Sequence, residues 1–235
     1  MERYALFDWD GTLREGYTLF EWIGFLRERG GILSARVLKR HDRLVADYRE
    51  GRISHDVLAR ESCQNYEEGI RGTRVERYEA LRSEYHRYDR TRQLTFAPVL
   101  FRWLKDRGIR PIVITGAPVD MIGAYFGEYG IGEAYGHRLE LRDGRLTGNA
   151  LENCGFHKER KVRELEERFG CPPLLAAGDS DSDLPLLLAA KTALVVGGRA
   201  ETLARVPGGR SIPRGIEGET LIQNLENWIG ECEAI

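Results

Sequence analysis

Short apolar runs recur along the chain, and each ends in polar or flexible residues. Residues 4–7 read Tyr-Ala-Leu-Phe and stop at Asp8. Residues 109–114 stop at Thr115, residues 174–177 at Gly178 and Asp179, and residues 193–196 at Gly197 and Gly198. Continuous apolar runs of this length suit strands buried on both faces of a parallel sheet. Helical patterns separate them. Residues 98–107 carry Val99, Leu100, Trp103 and Leu104 ahead of Gly108, a natural C-terminal stop. Residues 158–169 carry Val162, Leu165 and Phe169, and residues 184–190 follow the third run. The alternation predicts an α/β core with a doubly wound, Rossmann-like parallel sheet. Ligands bind beyond the carboxyl ends of such strands. Asp8, Thr115 and Asp179 fall there.

Residues 14–93 read differently, because they hold no strand pattern. Leu19, Trp22, Ile23 and Leu26 share one helical face. Ser34 is placed to cap a helix bearing Val37, Leu38, Leu44, Val45 and Tyr48, with Gly51 ending it. Ser54 is placed to start another. Thr73 with Glu76 reads as a capping box ahead of Tyr78, Leu81, Tyr85 and Tyr88. A plain loop rarely exceeds about 12–15 residues. The segment therefore reads as a helical bundle inserted into the core, which divides the chain into residues 1–13 with 94–235 (catalytic core) and residues 14–93 (helical cap). Residues 137–148 read as a hairpin, with Asp143-Gly144 as its turn. Residues 207–218 are rich in Pro and Gly and read as a surface loop before a final helix at about residues 221–229.

Composition narrows the function classes. The hydrophobic fraction is 42%, enough for a buried core, and the 31% charged residues nearly cancel to a net −2. A nucleic-acid binder usually needs a basic excess, so none is expected as partner. No apolar run approaches the roughly 18 residues of a membrane helix. Met1 and Glu2 lead almost directly into the first strand, without a signal peptide. Cytoplasmic location is the expectation. Cys63, Cys154, Cys171 and Cys232 form no C-x-x-C pair, so a structural zinc site is not expected and the thiols read as buried or idle.

Four groups of residues carry chemistry. Asp8-Trp9-Asp10-Gly11-Thr12-Leu13 places two carboxylates at a strand end, one residue apart. One can attack phosphorus while the other handles the leaving group's proton. Alone, the same residues make an ordinary turn. Thr115-Gly116, followed by Pro118, offers a hydroxyl and a flexible amide for a phosphate, or simply an N-cap. Lys158 and Lys161 are the candidate cations for a phosphoryl group. Gly178-Asp179-Ser180-Asp181-Ser182-Asp183 sets three carboxylates within five residues. A hard divalent cation relieves their repulsion, and a helix N-terminus also favours them. The Gly and Glu spacing of an EF-hand loop is missing.

Taken together, FDWDGTL at residues 7–13, VITGA at 113–117, a downstream Lys and GDSDSD at 178–183 resemble the haloacid dehalogenase-like hydrolase superfamily. The helical insertion and the Asp183-Leu184-Pro185 that ends the last motif are similar to its phosphoserine-phosphatase-like branch. The resemblance implies a magnesium-dependent phosphatase acting on a small phosphorylated metabolite through a phospho-aspartate. It implies Asp8 as nucleophile and Mg²⁺ ligand, and Asp10 as general acid/base with its carbonyl on the metal. Thr115 and Gly116 would hold the phosphoryl group. Asp179 would bind Mg²⁺, and Asp183 would support the metal or the Lys. Lys158 is preferred to Lys161 as the site lysine, from its position ahead of Val162 and Leu165. The branch usually carries Ser where this chain has Gly11, and its ammonium-reading acidic residue stands at a spacing that Glu15 does not match. Phosphoserine is thus one possible substrate among small phosphomonoesters. A phosphotransferase or mutase would use the same aspartate chemistry. A non-catalytic phosphate binder would not need the Asp8–Asp10 pair.

Overall fold

The computed structural model describes residues 2–29 and 31–233, with the side chains of 231–233, Cys232 included, outside the description. In chain order the elements are β1 (Arg3–Phe7), α1 (Thr18–Arg29), α2 (Ala35–Arg49), α3 (His55–Ile70), α4 (Val75–Asp89), α5 (Ala97–Asp106) and β2 (Ile109–Pro118). Then come α6 (Val119–Ile122), α7 (Phe126–Tyr129), β3 (Glu133–Arg142), β4 (Arg145–Asn153), α8 (Lys158–Phe169), β5 (Leu175–Gly178) and α9 (Leu184–Ala189). The chain ends with β6 (Thr192–Val196), α10 (Ala200–Ala204), β7 (Arg210–Ile212) and α11 (Gly218–Glu233). It divides into two compact units: residues 1–17, 91–137 and 153–235, and residues 18–90 and 138–152.

The strands form one sheet in the order β4-β3-β2-β1-β5-β6-β7. β1 pairs in parallel with β2 and with β5, and β6 and β7 continue the parallel set. The alternation of a pleated strand sorts β1 between two cores. Ala5 and Phe7 pack on one face with Leu100, Phe101 and Leu104 of α5 and Leu221 and Leu225 of α11. Tyr4 and Leu6 pack on the other with Val162 and Leu165 of α8 and Leu186 of α9. Both faces are covered, which is why the sequence shows unbroken apolar runs rather than alternation. The fold is the expected doubly wound α/β sheet.

The second unit is a helical bundle built around Trp22. Its indole Nε1 donates to the Tyr66 hydroxyl at 2.9 Å, and Tyr66 and Tyr78 share a hydroxyl hydrogen bond of 2.7 Å. The Trp22 ring lies 5.2 Å from Tyr85 and 5.7 Å, edge-on, from Tyr78. These contacts bury the aromatic bodies while satisfying their polar ends. Ser34 and Ser54 cap α2 and α3 as their positions suggest. The Thr73 capping box does not form. Arg74 is the N-cap of α4 and makes no side-chain cap bond. Thr73 is instead recruited by β4, accepting at its carbonyl from the Leu146 amide at 2.9 Å, while the Gly72 amide donates to Leu146 O at 2.8 Å. These bonds explain why residues 138–152 join the helical unit, which the sequence division at residues 14–93 leaves out. Of the apolar face read onto α2, Val37 is buried and Tyr48 is exposed.

Three further elements differ from expectation. The second strand does not stop before Thr115 but runs to Pro118, with a register shift between Ile114 and Pro118. The hairpin is longer than residues 137–148, and its first arm begins as a parallel partner of β2. Residues 207–218 are not only loop, because β7 lies within them and pairs with β6. No described helix is long and apolar enough to cross a membrane. Cys63 and Cys154 are buried free thiols and Cys171 is a half-buried one.

Candidate active site

Sheet register brings the polar strand ends together. Phe7 lies opposite Val113 on β2 and Ala177 on β5. Asp8, Thr115 and Asp179 therefore follow at nearly one level along the carboxyl edge, and the Asp8 amide still donates to Ala177 O at 3.0 Å. After Asp8 the chain turns tightly, with Gly11 at φ +80°. A Cβ on Gly11 would stand 2.5 Å from Asp179 Oδ2, so both the turn and the close approach require glycine. The chain leaves this edge and returns beside itself: the Leu94 amide donates to Leu13 O and the Glu15 amide to Arg92 O.

Of the two candidate lysines, Lys158 is the one that reaches the carboxylates. It opens α8, is 4% exposed, and its Nζ donates to Asp8 Oδ1 at 2.6 Å and to Asp183 Oδ1 at 2.7 Å. Lys161, three residues on, pairs with Glu164 at 2.6 Å and lies over the Tyr135 ring, away from these carboxylates. Asp183 is a structural hub. Its Oδ2 accepts from the Asp179 amide (2.9 Å), the Ser180 amide (3.0 Å) and the Ser180 hydroxyl (3.1 Å). Asp8 Oδ2 accepts a long bond of 3.4 Å from the Thr12 hydroxyl. Asp10 pairs with the fully buried Arg14 at 3.4 Å. Thr115 is buried, and its Oγ1 accepts from the Ala117 amide at 3.1 Å, which leaves the hydroxyl proton for another acceptor. Gly116 is exposed beside it.

Carboxylate oxygens of Asp8, Asp179 and Asp183 all lie within 4.8 Å of one another. Asp181 does not join them, contrary to the reading of three clustered carboxylates in the fourth motif. It accepts from the Thr202 hydroxyl and from Arg205, each at 2.7 Å. The convergent three carry more negative charge than Lys158 neutralises. Burial pushes the Asp8 carboxyl up to about 8; Lys158 opposes this, while Asp183 and Asp179 add to it. Burial and Asp183 also raise Asp179, against the pull of Arg199, Arg214 and Lys158. Desolvation works against the Lys158 charge, but Asp183 and Asp8 outweigh it and hold the ammonium above the usual lysine range. The lysine stays charged and the excess falls on the carboxylates.

The haloacid dehalogenase-like hydrolase family matches the chain over residues 5–188, from β1 through the helix after the carboxylate cluster. The chain belongs to this family. A phosphoserine phosphatase of Halobacterium salinarum is 36% identical over 115 residues, 46% of this chain and 54% of that protein. One of Archaeoglobus fulgidus is 31% identical over 100 residues, 41% of this chain and 29% of that protein. The chain thus aligns with about half or less of the length of these curated relatives. A solved structure described as a phospho-aspartyl intermediate analogue of phosphoserine phosphatase shares the fold, with a TM-score of 0.64 at 18% identity, over 95% of this chain and 98% of that one.

Within this haloacid dehalogenase-like core, one site residue escapes the motifs. Arg214, in the turn after β7, donates from Nη2 to Asp179 Oδ2 and from Nε to Gly11 O, both at 3.1 Å. An Arg in a Pro/Gly-rich stretch that also holds Arg210 carries no periodic signal that would single it out.

Proposed function

We propose that this chain is a phosphatase of small phosphomonoesters, working in the cytoplasm through a phosphoryl group carried on Asp8. The observation that carries the reading is a buried carboxylate at the end of the central strand, held at 2.6 Å by a buried lysine, with a second carboxylate two residues on. Asp8 attacks the phosphorus, and the bond to the leaving oxygen breaks as Asp10 supplies its proton. Asp10 then takes a proton from water, which attacks the phosphorus, frees phosphate and restores Asp8. Arg14 keeps Asp10 in place, and Lys158 offsets charge on the phosphoryl oxygens. The Thr115 hydroxyl and the Gly116 amide are the donors for those oxygens.

The donor set suits Mg²⁺, a hard cation that takes one or two carboxylates together with phosphate oxygens. Asp183 Oδ2 already accepts three bonds and Oδ1 holds Lys158, whereas Asp8 Oδ2 has only a long bond from Thr12, so Asp8 and Asp179 would be the side-chain ligands, joined by the Asp10 carbonyl. Bound there, Mg²⁺ supplies positive charge for the transferring phosphoryl group. A carboxyl whose pKa is higher folded than unfolded binds more protons when folded. For Asp8 that window runs from 3.8 to about 8, so metal-free stability falls as pH rises through it. Mg²⁺ needs the ionised form, so its stabilising effect grows over the same window. Thermal unfolding with and without Mg²⁺ should show a larger rise in Tm at pH 8 than at pH 6. An equal rise at both would contradict the ligand assignment.

The activity itself is tested by phosphate release from a panel containing phosphoserine, other small phosphomonoesters and an aryl phosphate, with Mg²⁺ present and Asp8→Asn as the blank. Release by the unaltered chain alone, abolished by chelator, is the expected result. Absence of release from every compound would overturn the reading.

A further inference from the structure

We infer that Arg214 is a positioning residue for the metal site, clamping Asp179 to the turn that follows Asp8 and Asp10. One guanidinium bridges two acceptors on different motifs: Asp179 Oδ2 through Nη2 and Gly11 O through Nε, each at 3.1 Å. The two acceptors belong to parts of the chain already in contact, since even a methyl group on Gly11 would strike the Asp179 carboxylate. Gly11 adjoins Asp10, whose carbonyl is assigned to the metal together with Asp8, and Asp179 is the ligand from the other motif that must meet them. Arg214 thus fixes the separation of two ligands without being one. Its bond falls on Oδ2, so Oδ1 would be the Asp179 oxygen left to a metal.

The local backbone is shaped around this side chain. β7 pairs with β6, and the Gly197 amide donates to Ile212 O at 2.8 Å, which delivers residue 214 to the site edge. Gly197, at φ +80°, leaves room for the guanidinium, whose Cζ would lie 3.2 Å from a Cβ there. Two opposing effects act on the ion. The Arg214 charge repels a cation, but the side chain is 44% exposed and water screens it. The orienting bonds act on the ligand directly, and loss of such supporting bonds typically weakens metal binding by about 10–100-fold. Orientation therefore wins. Arg199 lacks this geometry: it approaches Asp179 at only 4.0 Å and is 54% exposed.

The inference rests on the Mg²⁺ reading above, and calorimetric titration of the full chain with Mg²⁺, in the absence of substrate, tests both. Arg214→Ala should raise the Mg²⁺ dissociation constant about tenfold or more. Arg199→Ala should change it less than about fivefold. Arg214→Lys keeps the charge but cannot fork onto two acceptors, so it should not restore the unaltered affinity. Urea midpoints without metal should match across the set, since both arginines are about half exposed. Unchanged or tighter binding in Arg214→Ala, full affinity in Arg214→Lys, or equal losses at 199 and 214 would each overturn the clamp while leaving the metal reading intact. No Mg²⁺ binding by the unaltered chain would overturn both.

Discussion

Replacing Asp8 with Asn is expected to lower phosphate release by about four orders of magnitude or more, the scale seen when a covalent nucleophile is removed. Amide and carboxylate have nearly the same shape, so the packing at the end of β1 is kept. The Asn oxygen can still accept from Lys158, which lies 2.6 Å from Asp8 Oδ1. The charge is what disappears. Asp8 faces Asp183 and Asp179, both of which push its proton affinity up. Neutralising it relieves that repulsion, and the metal-free variant should be at least as stable as the unaltered chain in urea unfolding. Activity and stability therefore part company at this residue. A variant that loses activity because it unfolds would show the opposite.

Lys158→Met is expected to lose both. The ammonium is buried and makes hydrogen bonds to two carboxylates that are themselves buried. Removing one partner from a buried ion pair commonly costs about 3–5 kcal/mol, because the remaining charges stay without compensation. Here two carboxylates are left. They can escape the cost by taking up protons, which is easier at low pH. The destabilisation should therefore be smaller at pH 5 than at pH 8, as read by urea unfolding at each. Phosphate release should fall by about two to three orders of magnitude even at pH values where the variant stays folded. A destabilisation independent of pH would mean that the lysine acts through packing alone.

The parts of the site that were legible in the sequence share one physical origin. Buried parallel strands need continuous apolar residues, so the first polar residue after each run marks the sheet edge, and Asp8, Thr115 and Asp179 announce themselves this way. Lys158 was harder. It and Lys161 lie one helical turn apart at the start of α8, so periodicity alone puts both on similar faces. In the fold one lies under the carboxylates and the other against Glu164 and Tyr135. Spacing shows how many carboxylates the last motif carries but not which way each points, and Thr202 and Arg205 turn Asp181 aside. Thr73 has the residues of a capping box, yet its backbone is claimed by β4, a partner more than seventy positions away along the chain. The first half of β3 has no strand signal, because Glu133 and Gly136 break any apolar run. Arg214 lies beyond pattern reading altogether, since what matters about it is two contacts, to residues 11 and 179.

The phosphoryl group is expected to pass through Asp8. Asp10→Asn removes the group assigned to activate water, while an aryl phosphate, with its good leaving group, needs little help from an acid in the first step. Mass spectrometry of that variant, acid-quenched after mixing with the aryl phosphate and Mg²⁺, tests the claim most directly. One phosphoryl group per chain is expected, on the peptide containing Asp8. A phosphoryl group on any other residue, or turnover by the unaltered chain with no phosphorylated species trapped in the variant, would contradict it.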